Sequence, residues 1–144
     1  MLVAVIDGQG GGIGKAIVEK LRAAFNNEIE IIALGTNAMA TSLMLRAGAD
    51  AGASGENAIV VNAPKAHIII GSIGIVVANS MLGELTPLMA RTIGESPGKK
   101  LLIPLNRCNI QVVGVNGESI PFYVDLAIEQ VRSFINNFRG EDNE

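Results

Sequence analysis

Five of the seven residues from Gly8 to Gly14 are glycine, and they lie between two very different stretches of chain. Before them, Leu2–Ile6 is apolar at every position. After them, Ile13, Ile17, Leu21 and Ala24 recur every three or four residues, the spacing of one helix face. An unbroken apolar run suits a strand buried on both faces, as in the centre of a parallel sheet. Glycines at its end let the backbone turn sharply and approach a ligand with no Cβ in the way. A helix that starts there aims unpaired N–H groups, and the positive end of its dipole, at whatever lies above the turn. The expectation is the first β–α unit of a Rossmann-like α/β domain, with a phosphate-bearing ligand at the turn.

The rest of the chain keeps to this alternation. Glu30–Leu34 reads as a second strand, Gly35-Thr36-Asn37 as a turn, and Ala38–Ala47 as a helix closed by Gly48. Within 50–64 the reading is a short strand near Ala49–Ala53, a turn at Gly55 and a short helix from Asn57 to Ala63. A single strand over Ala58–Val61 is the alternative. His67–Ile70 is a strongly apolar strand, followed by a long apolar helix that breaks near Pro87. Leu101–Leu105 is a further parallel strand, Gln111–Val115 an edge strand, and Phe122–Phe138 an amphipathic helix. Strands alternating with helices argue for a three-layer sandwich: a mostly parallel sheet, order 3-2-1-4-5, with helices on both faces. The chain of 144 residues fits one Rossmann-like nucleotide-binding domain over residues 1–139, with an acidic solvated tail at 140–144.

Composition removes several function classes. Apolar residues make up 49% and charged residues 17%, which excludes a disordered chain, and aromatics are only 3%, so the core must be aliphatic. Cys108 is the one cysteine and His67 the one histidine, so neither an intramolecular disulfide nor a Cys- or His-rich metal site can form. The formal net charge of −3, without a long basic run, gives no support for nucleic-acid binding. The stretch HIIIGSIGIVVANSML is too short and too interrupted for a bilayer span, and MLVAVIDGQ lacks a basic leader region, so no membrane association and a cytoplasmic location are expected.

The candidate site is the shared C-terminal edge of the parallel strands, where ligands of such sheets bind. Four strand endings there are small or polar: Asp7-Gly8-Gln9-Gly10, Gly35-Thr36-Asn37, Gly71-Ser72-Ile73-Gly74 and Asn106-Arg107-Cys108-Asn109. The candidate ligand-binding set is Asp7, Gly8, Gln9, Gly10, Gly11, Gly12, Ile13, Gly14, Gly35, Thr36, Asn37, Gly71, Ser72, Asn106 and Arg107. Arg107 is the best anion partner among them, against the alternative of a surface ion pair. Cys108 reads as a bystander or a low-pKa thiol. His67 lies at the opposite end of its strand and reads as structural. Asn79, Ser80 and Glu84 interrupt an apolar stretch and face a ligand or a partner. Glu56 and Asn57 follow a glycine turn, where Asn57 suits a helix cap.

The spacing Gly8, Gly12, Gly14 resembles the nucleotide-binding turn of short-chain dehydrogenases, including the intervening Ile13. Glycines that serve only close helix–strand packing are the plain alternative. GGGIGKA also resembles a deviant Walker motif with Lys15 in the lysine position, but Ala16 stands where Ser or Thr holds Mg²⁺, and no acid ends the later strands. Ordinary NAD recognition wants an acid at the end of the second strand. Thr36 and Asn37 stand there instead, without a cation for the 2′-phosphate of NADP, and they suit ribose or phosphate contact or the capping of the second helix.

The blocks VIDGQGGGIGKAIVEKL, EIIALGTNAMATS, RAGADAGASGENAIV, HIIIGSIGIVVANSMLGELTP and LLIPLNRCNI together resemble a bacterial family of small proteins known as domain of unknown function thirty-eight forty-two. The similarity runs to about Val115. It implies a Rossmann-like fold and carries no activity with it.

The reading from sequence is therefore a nucleotide- or dinucleotide-binding protein, its ligand NADP, NAD or another nucleotide, held by Gly8–Gly14. The alternatives are a small NADP-linked oxidoreductase completing its site across a dimer from Arg107, Cys108 and Asp7, a P-loop-like NTPase, and an interaction protein with an empty crevice. The Tyr-x-x-x-Lys pair of short-chain dehydrogenases is absent, since Tyr123 is the only tyrosine and Ala127 stands four residues on. A homo-oligomer is expected, from the apolar helix after Gly74 and the edge strand at Gln111–Val115.

Overall fold

The computed structural model describes residues 1–105 and 109–143. Five strands, β1 (Leu2–Asp7), β2 (Glu30–Gly35), β3 (Ala51–Ser54), β4 (Ile68–Ser72) and β5 (Lys99–Ile103), form one sheet in the order β3-β2-β1-β4-β5. Every pairing is parallel. The helices are α1 (Gly12–Phe25), α2 (Ala38–Ala47), α3 (Glu56–Asn62), α4 (Pro87–Glu95) and α5 (Ile120–Asp142).

Side-chain alternation along β1 sorts the core into two layers. Val3 and Val5 point to one face, where Ile17, Leu21 and Phe25 of α1, Met44 of α2 and Val124, Ile128 and Val131 of α5 cover them. Ala4 and Ile6 point to the other, under Ile59 of α3 and Met89 and Ile93 of α4. Both faces of the central strands are closed to water, which is why β1 and β4 have no polar residue before their C-terminal ends. The chain leaves β1 toward β2 and returns to β4 on the other side, so the sheet order reverses between β1 and β4. A crevice opens at that reversal beyond the strands' C-terminal ends.

Several segments differ from the sequence expectation. After β4 there is no long helix. Residues 73–86 make two single 3₁₀ turns, Ile73–Val76 and Met81–Gly83, and α4 begins at Pro87 rather than breaking there. Proline at the first helical turn lacks only an N–H that would have no partner, and Thr86 caps the helix by accepting from the Met89 amide. The apolar residues that suggested a helix are needed elsewhere: Ile75 and Leu85 are fully buried in the second core layer. Gln111–Val115 is not a strand. The segment is irregular, with Gly114 in the left-handed region and Val113 and Val115 exposed, so no buried face fixes a strand register. Within 50–64 the strand-then-helix reading holds, but Gly55, not Asn57, is the cap residue of α3. The C-terminal helix starts at Ile120 and continues past Phe138 to Asp142, so the exposed acidic residues 141 and 142 belong to its last turn. His67 is structural: its Nδ1 accepts from the Leu2 amide at 2.9 Å and its ring meets Phe138 edge-on at 5.5 Å. Among the described residues no helix is long and apolar enough to cross a membrane.

Candidate functional site

Helix α1 opens on Gly-Ile-Gly behind a cap residue, Gly11, at φ 75°, so no local side chain can satisfy its first amides. Asp7, at the end of β1, does it instead. This buried carboxylate accepts from the Gly8 amide through Oδ1 (2.8 Å) and from the Gly14 amide through Oδ2 (2.7 Å), clamping both ends of the loop. Within the loop the Gly11 amide donates to the Gly8 carbonyl at 3.0 Å, and Gln9, at φ 47°, donates its amide to Glu84. The amides of Gly10, Gly12 and Ile13 have no partner among the described residues. They are left to solvent or to a ligand.

The five glycines divide by cause. A Cβ on Gly14 would meet Met44 Sδ at 2.6 Å and Asp7 Cβ at 2.8 Å, so its absence lets α1 lie close against β1. Gly11 has left-handed backbone, and a Cβ there would lie 2.8 Å from Ala40 Cα. A Cβ on Gly8 would strike Thr36 Oγ1 and Met81 Sδ. Gly10 and Gly12 are different: their φ angles are ordinary and a Cβ would meet nothing within 4 Å. Nothing among the described residues requires glycine at these two positions.

The space they face is a cavity of about 360 Å³ at the β1–β4 reversal. Its lining includes Asp7–Ile13, Ser72 at the end of β4, and Ile73 and Gly74 just after it. Val77, Ser80 and Met81 of the irregular connection and Leu105, Ile110 and Ile120 complete the lining, mostly with aliphatic side chains. The Ser72 hydroxyl has no partner among the described residues and belongs to the cavity lining. The site thus combines polar amides and a hydroxyl with aliphatic surface, the usual chemistry of a small-molecule pocket.

Of the sequence candidates, Asp7, Gly8, Gln9, Gly10, Gly11, Gly12, Ile13 and Ser72 come together around this cavity. Gly14, Gly35, Thr36, Asn37 and Gly71 do not line it. Gly35 is packed against Thr41, and a Cβ on Gly71 would meet the Ile6 carbonyl oxygen at 2.7 Å, so both glycines serve strand and helix packing. Asn106, Arg107 and Cys108 lie outside the described residues. Lys15 turns along α1 toward Glu19, 3.9 Å away and half-exposed, rather than over the loop.

A family model described as Domain of unknown function (DUF3842) matches residues 2–136. The chain belongs to the DUF3842 family. A search of curated proteins gave no match. Among solved structures, the crystal structure of the dodecameric FMN-dependent Ubix-like decarboxylase from Escherichia coli O157:H7 is similar, with a TM-score of 0.42 and 15% identity, over 89% of this chain and 75% of that one.

In this DUF3842 chain the residue whose role sequence reasoning underestimated is Glu84. From the irregular connection it reaches across to the start of the glycine loop and the end of β2. Its Oε1 accepts from Asn37 Nδ2 at 2.7 Å, from Thr36 Oγ1 at 2.8 Å and from the Gln9 amide at 3.0 Å. The Asn37 side chain, then the Gln9 amide and the Thr36 hydroxyl, hold its carboxyl below the usual glutamate range, against a smaller opposing effect of burial. Asn37 is a bridge as well as a cap: it accepts from the Ala40 amide and donates to the Gln9 carbonyl. The turn that presents Glu84 is strained, with Asn79, Met81 and Leu82 all in the left-handed region. Bonds from the Asn79 amide to Leu85, the Leu85 amide to Ser80 and the Ser80 hydroxyl to Gly74 hold it. The sequence signal for Glu84 was a lone acid in an apolar stretch.

Proposed function

We propose that this protein binds a nucleotide-type ligand, with its phosphate on the amides of Gly10, Gly12 and Ile13 and its ring against the aliphatic wall of the cavity. The observation that carries the reading is the pair Gly10 and Gly12. Both have ordinary backbone and open space where a side chain would stand, while unpartnered amides lie beside them. Both line the cavity, and side chains there would enter it without meeting a described residue, so a ligand that approaches the backbone closely accounts for their absence. The N-terminus of α1 adds a favourable field for a negative oxygen. Asp7 sits beneath the loop as its clamp and turns its two oxygens to the Gly8 and Gly14 amides, away from the role of ligand acceptor.

A thermal-shift panel of NADP, NAD, ATP, GTP and flavins tests the reading. At a ligand concentration about 100-fold above Kd, stabilisation of about 2.7 kcal/mol is expected for the true ligand. Gly12→Val should remove it and leave a folded protein; an undiminished shift in that variant places the ligand elsewhere.

Self-association belongs to the same reading on new grounds. Both features that suggested it are absent, and it now rests on Phe122 and Leu126, one turn apart on α5 and 45% and 48% exposed. A monomer in light scattering at micromolar concentration refutes it.

A further inference from the structure

We infer that the site takes a mononucleotide, a single phosphate carrying an apolar or aromatic ring, and excludes dinucleotides, because the chain's own Met81–Glu84 turn occupies the β2 side of the crevice. The inference deepens the nucleotide reading and rests on it. In a dinucleotide-binding β–α–β unit the second nucleotide passes the first glycines and lies beyond the end of β2, where an acid holds its ribose. Here that path is filled. A Cβ on Gly8 would lie 2.7 Å from Met81 Sδ and 3.4 Å from Glu84 Oε1, so this turn roofs the first glycine. Glu84 Oε1 takes up the Gln9 amide, the Thr36 hydroxyl and the Asn37 amide group, the donors a second ribose or phosphate would need. Thr36 and Asn37 contribute nothing to the cavity lining. The cavity opens instead toward β4 and β5, and its volume of about 360 Å³ is near the lower end of the roughly 300–1,000 Å³ of ligand pockets. That space suits one nucleotide.

The test is calorimetry on the intact protein with matched pairs: FMN and FAD, nicotinamide mononucleotide and NAD, AMP and diadenosine diphosphate. The expected result is that whichever mononucleotide binds does so at least about tenfold more tightly than its dinucleotide, a difference of about 1.4 kcal/mol. Met81→Ala combined with Glu84→Ala should narrow that gap; if the double variant does not fold, the wild-type comparison decides alone. A dinucleotide that binds as tightly as its half, or more tightly, overturns the inference while the phosphate site stands, and makes Glu84 the ribose acceptor. No heat and no melting shift from any of the six compounds overturns the nucleotide reading itself.

Discussion

Replacing Gly12 and Gly14 separately by alanine distinguishes a glycine kept for a ligand from one kept for the fold. Both lie in the first turn of α1 with ordinary φ, so both replacements reduce the freedom of the unfolded chain and on that account favour folding by about 0.4–1 kcal/mol. At Gly12 nothing opposes this gain, because the new methyl group meets no atom within 4 Å. The unliganded melting temperature should stay level or rise by about 1–4 °C, at roughly 2–4 °C per kcal/mol for a chain of this size. At Gly14 the methyl would lie 2.6 Å from Sδ of the fully buried Met44 and 2.8 Å from Asp7 Cβ, which the end of β1 holds in place. Overpacking of this kind costs about 1–3 kcal/mol, which matches or outweighs the gain, and the melting temperature should fall by up to about 10 °C. Differential scanning calorimetry without ligand reads both. A Gly12→Ala protein that melts several degrees low would show that the fold needs that glycine, and the case for a ligand at Gly12 would be lost.

Other outcomes follow from the same geometry. Glu84→Ala releases three donors at a half-buried site and should cost about 2 kcal/mol, seen as a lower urea midpoint at unchanged slope; no change would mean the bridge across the crevice is idle. Asp7→Asn leaves one acceptor for two buried amides, and should cost about 2–3 kcal/mol, read as faster hydrogen exchange at Gly8 or Gly14; equal protection in both proteins would refute the clamp. Acid stability has a definite sign. Asp50, held below its ordinary 3.8 mainly by the Ile31 amide and then by Arg22 against some burial, and Glu84, held below its ordinary 4.5, both contribute stability that is complete above those values. That stability drains away as pH falls through their lower folded values, so urea midpoints should begin to drop below about pH 4.5, and Glu84→Gln should flatten part of the slope. A slope unchanged by Glu84→Gln would show that Glu84 is not bonded as described.

The sheet order was legible because each feature that fixes it is local. Leu2–Ile6 and Ile68–Gly71 carry no polar side chain ahead of Asp7 and Ser72, as strands covered on both faces inside a parallel sheet require. Gly48 and the helix formers before it closed α2 where expected. The connection at 73–86 misled because apolar content says that a residue is buried and not in what conformation. Ile75 and Leu85 fill the core from a 3₁₀ turn and a bend, and Pro87 marked the start of a helix, not a break in one. Gln111–Val115 misled for the reverse reason. Its alternation had the period of a strand, but Val113 and Val115 face solvent, so no burial supports the pattern.

The glycine loop shows where local reading ends. Five glycines in seven residues announced a close approach to backbone, but the sequence does not say what approaches. For Gly8 it is Thr36 and Met81, for Gly11 it is Ala40, and for Gly14 it is Met44 and Asp7, all parts of this chain. Only Gly10 and Gly12 remain without a reason among the described residues. The partition could not be made earlier because Ala40 and Met44 lie about one β–α unit away in sequence, and Met81 lies in a connection whose path the pattern misstated. Glu84 escaped for the same reason, since its three donors are 75, 48 and 47 residues distant along the chain. The motif therefore specifies that backbone is exposed at the β1–β4 reversal. How much of it stays exposed, and on which side of the crevice a ligand can lie, is decided by contacts between elements far apart in the chain.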